Sequence, residues 1–286
     1  MNNPLIKLEM LRRFRSPAAA WGIPIVMLLP GLAVIAVYAT STAFAQMTAG
    51  AALMNWGGGV DSLQRVGQAM FAWVIGLLGL TMLMLVPSMV GTSIAGERHA
   101  QTLQPLQLTA ITPGQIVIGK LVSSLAYLLL LLVCTTPIMA IPFLLGGVPV
   151  SWLIGSLIVL FLIMLELAAV SLAVSATFSS PAVASIVSVV SCGVLIIAPF
   201  VVTTVLGAVM SMSDSQFDIM KSPLHYLMGL SPISLGTWVV ALEDDAPNEL
   251  ISIGARWVPV LCFMVVTASS LLWARRKVTA PVDKDR

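Results

Sequence analysis

The chain has 286 residues, of which 58% are hydrophobic and only 9% charged, with a mean hydropathy of +1.01 and a formal net charge of +2. A soluble domain carries about 25% charged residues, so this chain has too little charge to cover a water-facing surface and is expected to be an integral membrane protein. The small positive balance implies no nucleic-acid partner, because the basic residues serve topology and contact with anionic lipid.

A membrane-spanning helix needs about 20 mostly apolar residues. Six runs meet that need: Ala18–Ala43, Val66–Ser93, Gln115–Leu145, Trp152–Phe178, Ala182–Met210 and Ile251–Trp273. Their apolar content is continuous, without the alternation of a membrane barrel. The expected fold is an all-α integral membrane protein with six transmembrane helices, forming one transmembrane domain over 1–286.

Ahead of the first run, Asn3-Pro4 opens a short helix that Ser16-Pro17 ends. Ile6, Met10, Leu11 and Phe14 share one side and Glu9, Arg12 and Arg15 the other, with the Lys7 stem free to snorkel. This predicts an interfacial helix over 1–17. Pro24 and Pro30 predict kinks in span one. Ala43-Phe44-Ala45 looks like a signal-cleavage site, but the preceding apolar run far exceeds a signal core of about 7–15 residues. It is therefore read as a span. A turn at Gly57-Gly58-Gly59 follows, and Asp61-Ser62 offer a cap for span two.

Gly114-Gln-Ile-Val-Ile-Gly-Lys-Leu121 comes within one residue of a phosphate-binding loop, with Leu121 where Ser or Thr belongs. The missing hydroxyl leaves Mg²⁺ without a ligand, the intervening residues are apolar, and the flanking sequence reads as membrane helix. The match is read as a helix start, with Thr112 as cap, Pro113 in the first turn and Lys120 at the membrane boundary. No cofactor and no catalytic set are expected in this chain, so it is not read as an enzyme.

The stretch before it is more specific. From Ile94 to Pro113, Glu97-Arg98, Thr102-Leu103, Leu106, Leu108 and Thr112-Pro113 fall at set spacings, followed by Gly119-Lys120. This pattern resembles the inner loop of type-2 ABC-transporter permeases, with Gln101 in the place of the usual glycine. The N-terminal Asn3-Pro4, Arg12-Arg13 and Arg15-Ser16-Pro17 and the six-span layout extend the resemblance over the chain. It implies a cytoplasmic coupling helix within 94–113 that docks into a separate ABC-type ATPase subunit. ATP and Mg would be bound there, and a second copy of this chain or a related permease would complete the transporter. The ATPase-coupling residues on this reading are Glu97, Arg98, Thr102, Leu103, Leu106 and Leu108. From the residues alone, the leucines suit a groove on a soluble partner, or else pack back on the bilayer while Glu97 and Arg98 pair with each other.

Spans three and four are joined by Gly146-Gly147-Val148-Pro149, and spans four and five by the tight Ser179-Ser180-Pro181. Glu166 is the one acid in mid-span and is an intramembrane functional candidate. Its face continues through Ala169, Ala173 and Thr177, predicting close helix packing. It belongs to a translocation path or proton-sensitive gate, or it is a neutral carboxyl bonded to a neighbouring helix. The outer segment 211–250 is rich in Leu, Met, Tyr and Trp, which predicts short helices on or dipping into the outer leaflet, broken at Gly229 and Pro232.

Cys134, Cys192 and Cys262 each lie alone in a span, with neither disulfide nor metal-ligand spacing. The sixteen methionines, with Met210, Met212 and His225 on one side, suit Cu(I) only weakly; no metal site is assigned, and Met is common filler. Of the fourteen basic residues, an inside N-terminus places eleven in the cytoplasm and leaves only Arg65, Lys221 and Arg256 outside. Both termini, including the tail 274–286, are thus expected on the cytoplasmic side of an inner membrane. The functional expectation is an ABC exporter permease. The alternatives are an ion-gradient-driven carrier or channel using Glu166, and a non-transporting scaffold.

Overall fold

The computed structural model describes residues 59–102, 112–144, 148–213, 225–235 and 250–279, with individual positions between 24 and 40. Its elements are α1 (Gly59–Gly91), α2 (Ser93–His99), α3 (Pro113–Leu144), α4 (Val150–Thr177), α5 (Pro181–Ser213), α6 (His225–Met228), a 3-10 turn (Pro232–Ser234) and α7 (Leu250–Thr279). Among the described residues every regular element is helical and none is a strand.

Among the described residues five helices are long and apolar enough to cross a membrane: Met70–His99, Pro113–Phe143, Val150–Thr177, Pro181–Met210 and Trp257–Val278. They make this a multi-pass membrane protein. The remaining expected run contains a shorter apolar helix, Pro30–Thr40. The interfacial helix expected over 1–17, the coupling residues Leu103, Leu106 and Leu108, and the tail beyond 279 lie outside the described residues.

Local chemistry accounts for the helix ends. At the start of α3 the Gln115 and Ile116 amides donate to the Thr112 carbonyl at 2.9 and 3.2 Å, and the Thr112 amide donates to Gln115 Oε1 at 2.9 Å. Thr112 thus closes the first turn, and the Gln115 side chain reaches back as in a capping box. The Gly114–Lys120 stretch is helical throughout, so it offers no cradle of free amides. The cap expected at Asp61-Ser62 is corrected: α1 already begins at Gly59. Both residues therefore stand inside the helix.

Proline interrupts α1 at Pro87, α3 at Pro137 and Pro142, α5 at Pro199 and α7 at Pro259. With no water in the hydrocarbon core, backbone groups must be satisfied within the protein. Hydroxyls share in this, as in Thr81 to Leu77 O, Ser88 to Leu85 O and Thr135 to Leu132 O. Pro199 leaves the Leu195 carbonyl of α5 without its helical donor, and at the next position Ser231 Oγ donates to Ile196 O at 3.0 Å.

Cα packing divides the chain into two compact units. One holds Met1–Met10, Leu83–Ala126 and Leu162–Arg286; the other holds Leu11–Met82 and Tyr127–Phe161. In the second unit Met70, Val74, Leu78 and Met82 form a buried stripe at four-residue spacing. In the first unit Val86, Val90, Ile94, Ile116, Met164, Leu167, Leu172 and Ala176 form the core.

The segment 225–235 breaks at Gly229 and Pro232 as expected. It packs against α5 and α7, and Ser231 and Leu235 are buried. Its described part is therefore held on one side by helices of its own unit, while Leu230 and Ile233 are exposed.

Gly91 ends α1 where that helix meets α5. A Cβ built there would lie 2.5 Å from Ser188 Oγ, 2.9 Å from Ser188 Cβ and 3.2 Å from the Ala184 carbonyl oxygen. Gly91→Ala is therefore expected to destabilise the chain by about 1–3 kcal/mol through overpacking. Ser188→Gly in the same chain should recover part of the loss. Thermal unfolding in lipid nanodiscs reads both effects, and an unchanged midpoint for the single variant would refute the close contact.

Candidate functional site

The residues singled out between spans two and three form an elbow. The helix of span two breaks at Thr92 (φ −90°, ψ −9°) and resumes as the seven-residue α2. In an unbroken helix the Ile94 and Ala95 amides would donate to the Val90 and Gly91 carbonyls. Instead both donate to Ser175 Oγ on α4, at 3.0 and 3.1 Å. The Val90 carbonyl takes the Ser93 hydroxyl at 2.7 Å. One serine satisfies the carbonyl and another, 82 positions from it in sequence, satisfies the amides. Ser175 is itself wholly buried, so the exchange takes place away from water.

The other end of α2 closes on its own backbone. The Thr102 amide donates to Glu97 O at 3.0 Å and the Gln101 amide to Arg98 O at 3.1 Å. This is the paired six-to-one and five-to-two closure of a Schellman motif, whose turning residue is left-handed. Gln101 takes that position with φ +56°. The departure from glycine noted in the sequence thus falls on the one residue of the turn where glycine would be unstrained. Thr102 Oγ1 adds a bond to Glu97 O at 3.2 Å.

Two charged side chains tie α2 to its neighbours. Glu97 and Arg98 do not pair with each other, which corrects one of the expectations above. Glu97 Oε1 pairs with Lys120 Nζ on α3 at 2.7 Å. Arg98 Nη2 donates to the Ala176 carbonyl at 3.1 Å. Ala176 lies in the last turn of α4, whose carbonyls lack intrahelical donors, so the guanidinium caps a neighbouring helix. It also brings positive charge to the negative end of that helix dipole.

Lys120 was read from sequence as a boundary marker, yet its side chain is only 3% exposed, against 24% for Glu97. Its ammonium also donates to Ser93 O at 3.1 Å. The lysine of the near-phosphate-loop motif is thus turned inward onto α2. Glu97 Oε2 and Arg98 Nε are buried without hydrogen-bond partners. The tip of the elbow is open: His99, Ala100, Gln101 and Thr102 are all exposed.

Sequence spacing brought Glu97, Arg98 and Thr102 together, and the fold keeps them on one short helix and its cap. It missed Ser175 and Ala176, which sit in a run of small residues near the end of span four. Their one sequence signal is a hydroxyl and small side chains at a helix end, which many spans share.

Glu166 stands apart from the elbow, buried in mid-helix at 2% exposure, with its Oε2 lacking a hydrogen-bond partner. On its expected face Ala169 and Ala173 are buried, while Thr177 is exposed and accepts a bond from Trp273 Nε1 at 3.2 Å. Near it on α4, Ser171 Oγ lies 3.5 Å from Cys192 Sγ of α5. Cys134, Cys192 and Cys262 are free thiols. Among the described residues no three His, Cys, Asp or Glu side chains gather closely enough to hold a metal ion.

The Gln101 geometry is testable. A left-handed residue other than glycine costs about 1 kcal/mol, so Gln101→Gly should tighten the elbow by that amount. Limited proteolysis within 97–104 should slow about fivefold, the factor equivalent to that energy. Equal or faster cleavage would show that the turn is not strained. No family model matches the chain and no curated protein does, so the functional reading rests on the elbow and the spans that hold it.

Proposed function

We propose that this chain is the transmembrane permease subunit of an ATP-driven exporter of the type-2 ABC class. The observation that carries the proposal is the elbow. The motif residues Glu97, Arg98 and Thr102 lie on a short helix with an exposed tip, and this helix is bonded to α3 through Lys120 and to α4 through Ser175 and Ala176. A push on such a tip reaches two spans directly.

In this reading the chain crosses the inner membrane six times with both termini in the cytoplasm. The elbow docks on a separate ATPase subunit, with Leu103, Leu106 and Leu108 as apolar anchors. ATP and Mg are bound by that partner. A second permease, a copy of this chain or a relative, completes the path. Closure of the ATPase pair moves the elbows, the spans rock outward, and hydrolysis resets them.

A second reading is favoured by the burial of Glu166, because an ionisable group in mid-span is costly and marks an ion path by default. It is an ion-gradient-driven carrier or channel that needs no ATPase. Proteoliposomes carrying a pH-sensitive dye separate the two. In the carrier reading Glu166→Gln abolishes dissipation of a proton gradient, and in the exporter reading no such dissipation occurs in the native chain.

The exporter reading is tested by co-expressing the chain with any ATP-binding cassette protein encoded beside it and measuring the ATPase activity that copurifies. Leu103→Asp places a charge on an anchor, and loss of such an anchor costs at least about 1.4 kcal/mol, or tenfold in affinity. Copurified activity should fall by that factor or more while membrane insertion is unchanged. Full activity in the variant would refute docking through this elbow.

A further inference from the structure

We infer that Lys120 is the positioning residue of the elbow: its ammonium fastens α2 to the first turns of α3, so that α2 and the adjoining ends of α3 and α4 move as one body. The inference deepens the exporter reading and rests on it only for the source of the force.

Three observations carry it. Lysine has a strongly hydrated ammonium and a flexible stem, and burying one is unfavourable unless charge and acceptors meet it. Here both are supplied by α2, through Glu97 Oε1 at 2.7 Å and Ser93 O at 3.1 Å. These two acceptors are one helical turn apart, so the ammonium grips a face of α2 at two points. Second, Glu97 Oε2 has no hydrogen-bond partner. The carboxylate is therefore compensated through its other oxygen, which is the one that Lys120 holds. Third, the α4 side is tied independently by Ser175 to the start of α2 and by Arg98 to the end of α4. With the three α4 bonds in place and α5 packed on the same helix, the Lys120 bonds add α3 to the neighbours that hold α2.

The lysine is also held from its own side. Ser123 Oγ and Ser124 Oγ both donate to the Lys120 carbonyl, at 3.0 and 2.7 Å, and both serines are fully buried. Isolated α3 gains little from two hydroxyls on one carbonyl, but they fix the backbone from which the ammonium reaches. Lys120 Nζ thus connects a stiff turn of α3 to a short helix whose upstream joint, at Thr92, is the break in the ladder.

Hydrogen exchange of the full chain in lipid nanodiscs tests this. Lys120→Met keeps the stem and removes the charge; amides 93–102 should then exchange at least about tenfold faster, equivalent to 1.4 kcal/mol, while protection in α5 and α7 is unchanged. Glu97→Gln removes the charge from the other side and should loosen the same amides. The double variant should be no looser than the looser of the two single variants by more than about twofold, because the Lys120–Glu97 bond is common to both. Additive effects, unchanged elbow protection, or loosening spread over the whole chain would each overturn the inference. If Lys120→Met fails to insert, Glu97→Gln decides alone: unchanged protection at 93–102 overturns the inference, and selective loss supports it.

In the complex with the neighbouring ATPase, ATP with vanadate should alter exchange over 113–124 in the native chain and leave it unaltered in Lys120→Met. An unimpaired response in the variant would overturn the positioning role. If no ATPase associates with the native chain, the exporter reading fails, and the exchange measurements on the permease alone still decide the place of Lys120.

Discussion

A backbone amide that loses its helical acceptor inside a membrane protein has no water to turn to. At Thr92 the helix of span two loses two such acceptors, and the geometry around α2 is built on answering that loss. Ser175 takes both amides, which obliges α4 to lie against the break. Gly91 permits the close approach of α5 on the same stretch. Arg98 then serves the end of α4, and Lys120 serves α2 from α3. Together these contacts tie the break and α2 to α3, α4 and α5. The elbow is therefore a set of exchanged hydrogen bonds more than a packed apolar knot.

The same economy appears elsewhere in the spans. Pro199 removes the donor for the Leu195 carbonyl of α5, and Ser231 approaches from a short turn to donate to the adjacent Ile196 carbonyl, which adds a bond across elements beside the gap. Small residues on α4, among them Ala168, Ala169, Ala173 and Ala176, are buried and let neighbouring backbones come near. Close approach and hydroxyl exchange depend on each other, because a serine reaches a foreign backbone only where no bulky side chain intervenes. Glu166 departs from this pattern in mid-span, where its buried carboxyl keeps one oxygen without a hydrogen-bond partner among the described residues. Such a group is costly in hydrocarbon, and its place in mid-helix keeps it among the candidates for function.

Much of this was legible in the sequence, at the level of elements. The five long helices start and stop within a few residues of the expected runs wherever Pro, Thr or Ser punctuates them, as at Thr112-Pro113 and Ser180-Pro181. Span two was the least well bounded, because the Gly-rich stretch before Asp61 reads as a turn while Gly59 is already helical. The elbow motif was legible as a spacing of Glu97, Arg98 and Thr102. Its chemistry was not. Adjacent opposite charges suggest a pair, yet consecutive residues on a helix point about 100° apart. Glu97 and Arg98 therefore reach different neighbours.

Composition and apolar run length alone determined that the chain lives in a membrane as helices, because hydrocarbon accepts no other arrangement of such residues. Local chemistry alone determined where α3 and α5 begin, at Thr112-Pro113 and Ser180-Pro181, since caps and prolines act over three or four positions. Only the tertiary structure decided that the lysine of a near-phosphate-loop faces a glutamate 23 residues away, and that a serine 81 residues away caps the elbow. Those choices depend on which helix lies beside which, and no local spacing records that. Gln101 joins the two levels: the sequence displays a missing glycine, and the fold shows that the backbone turns left-handed at that residue.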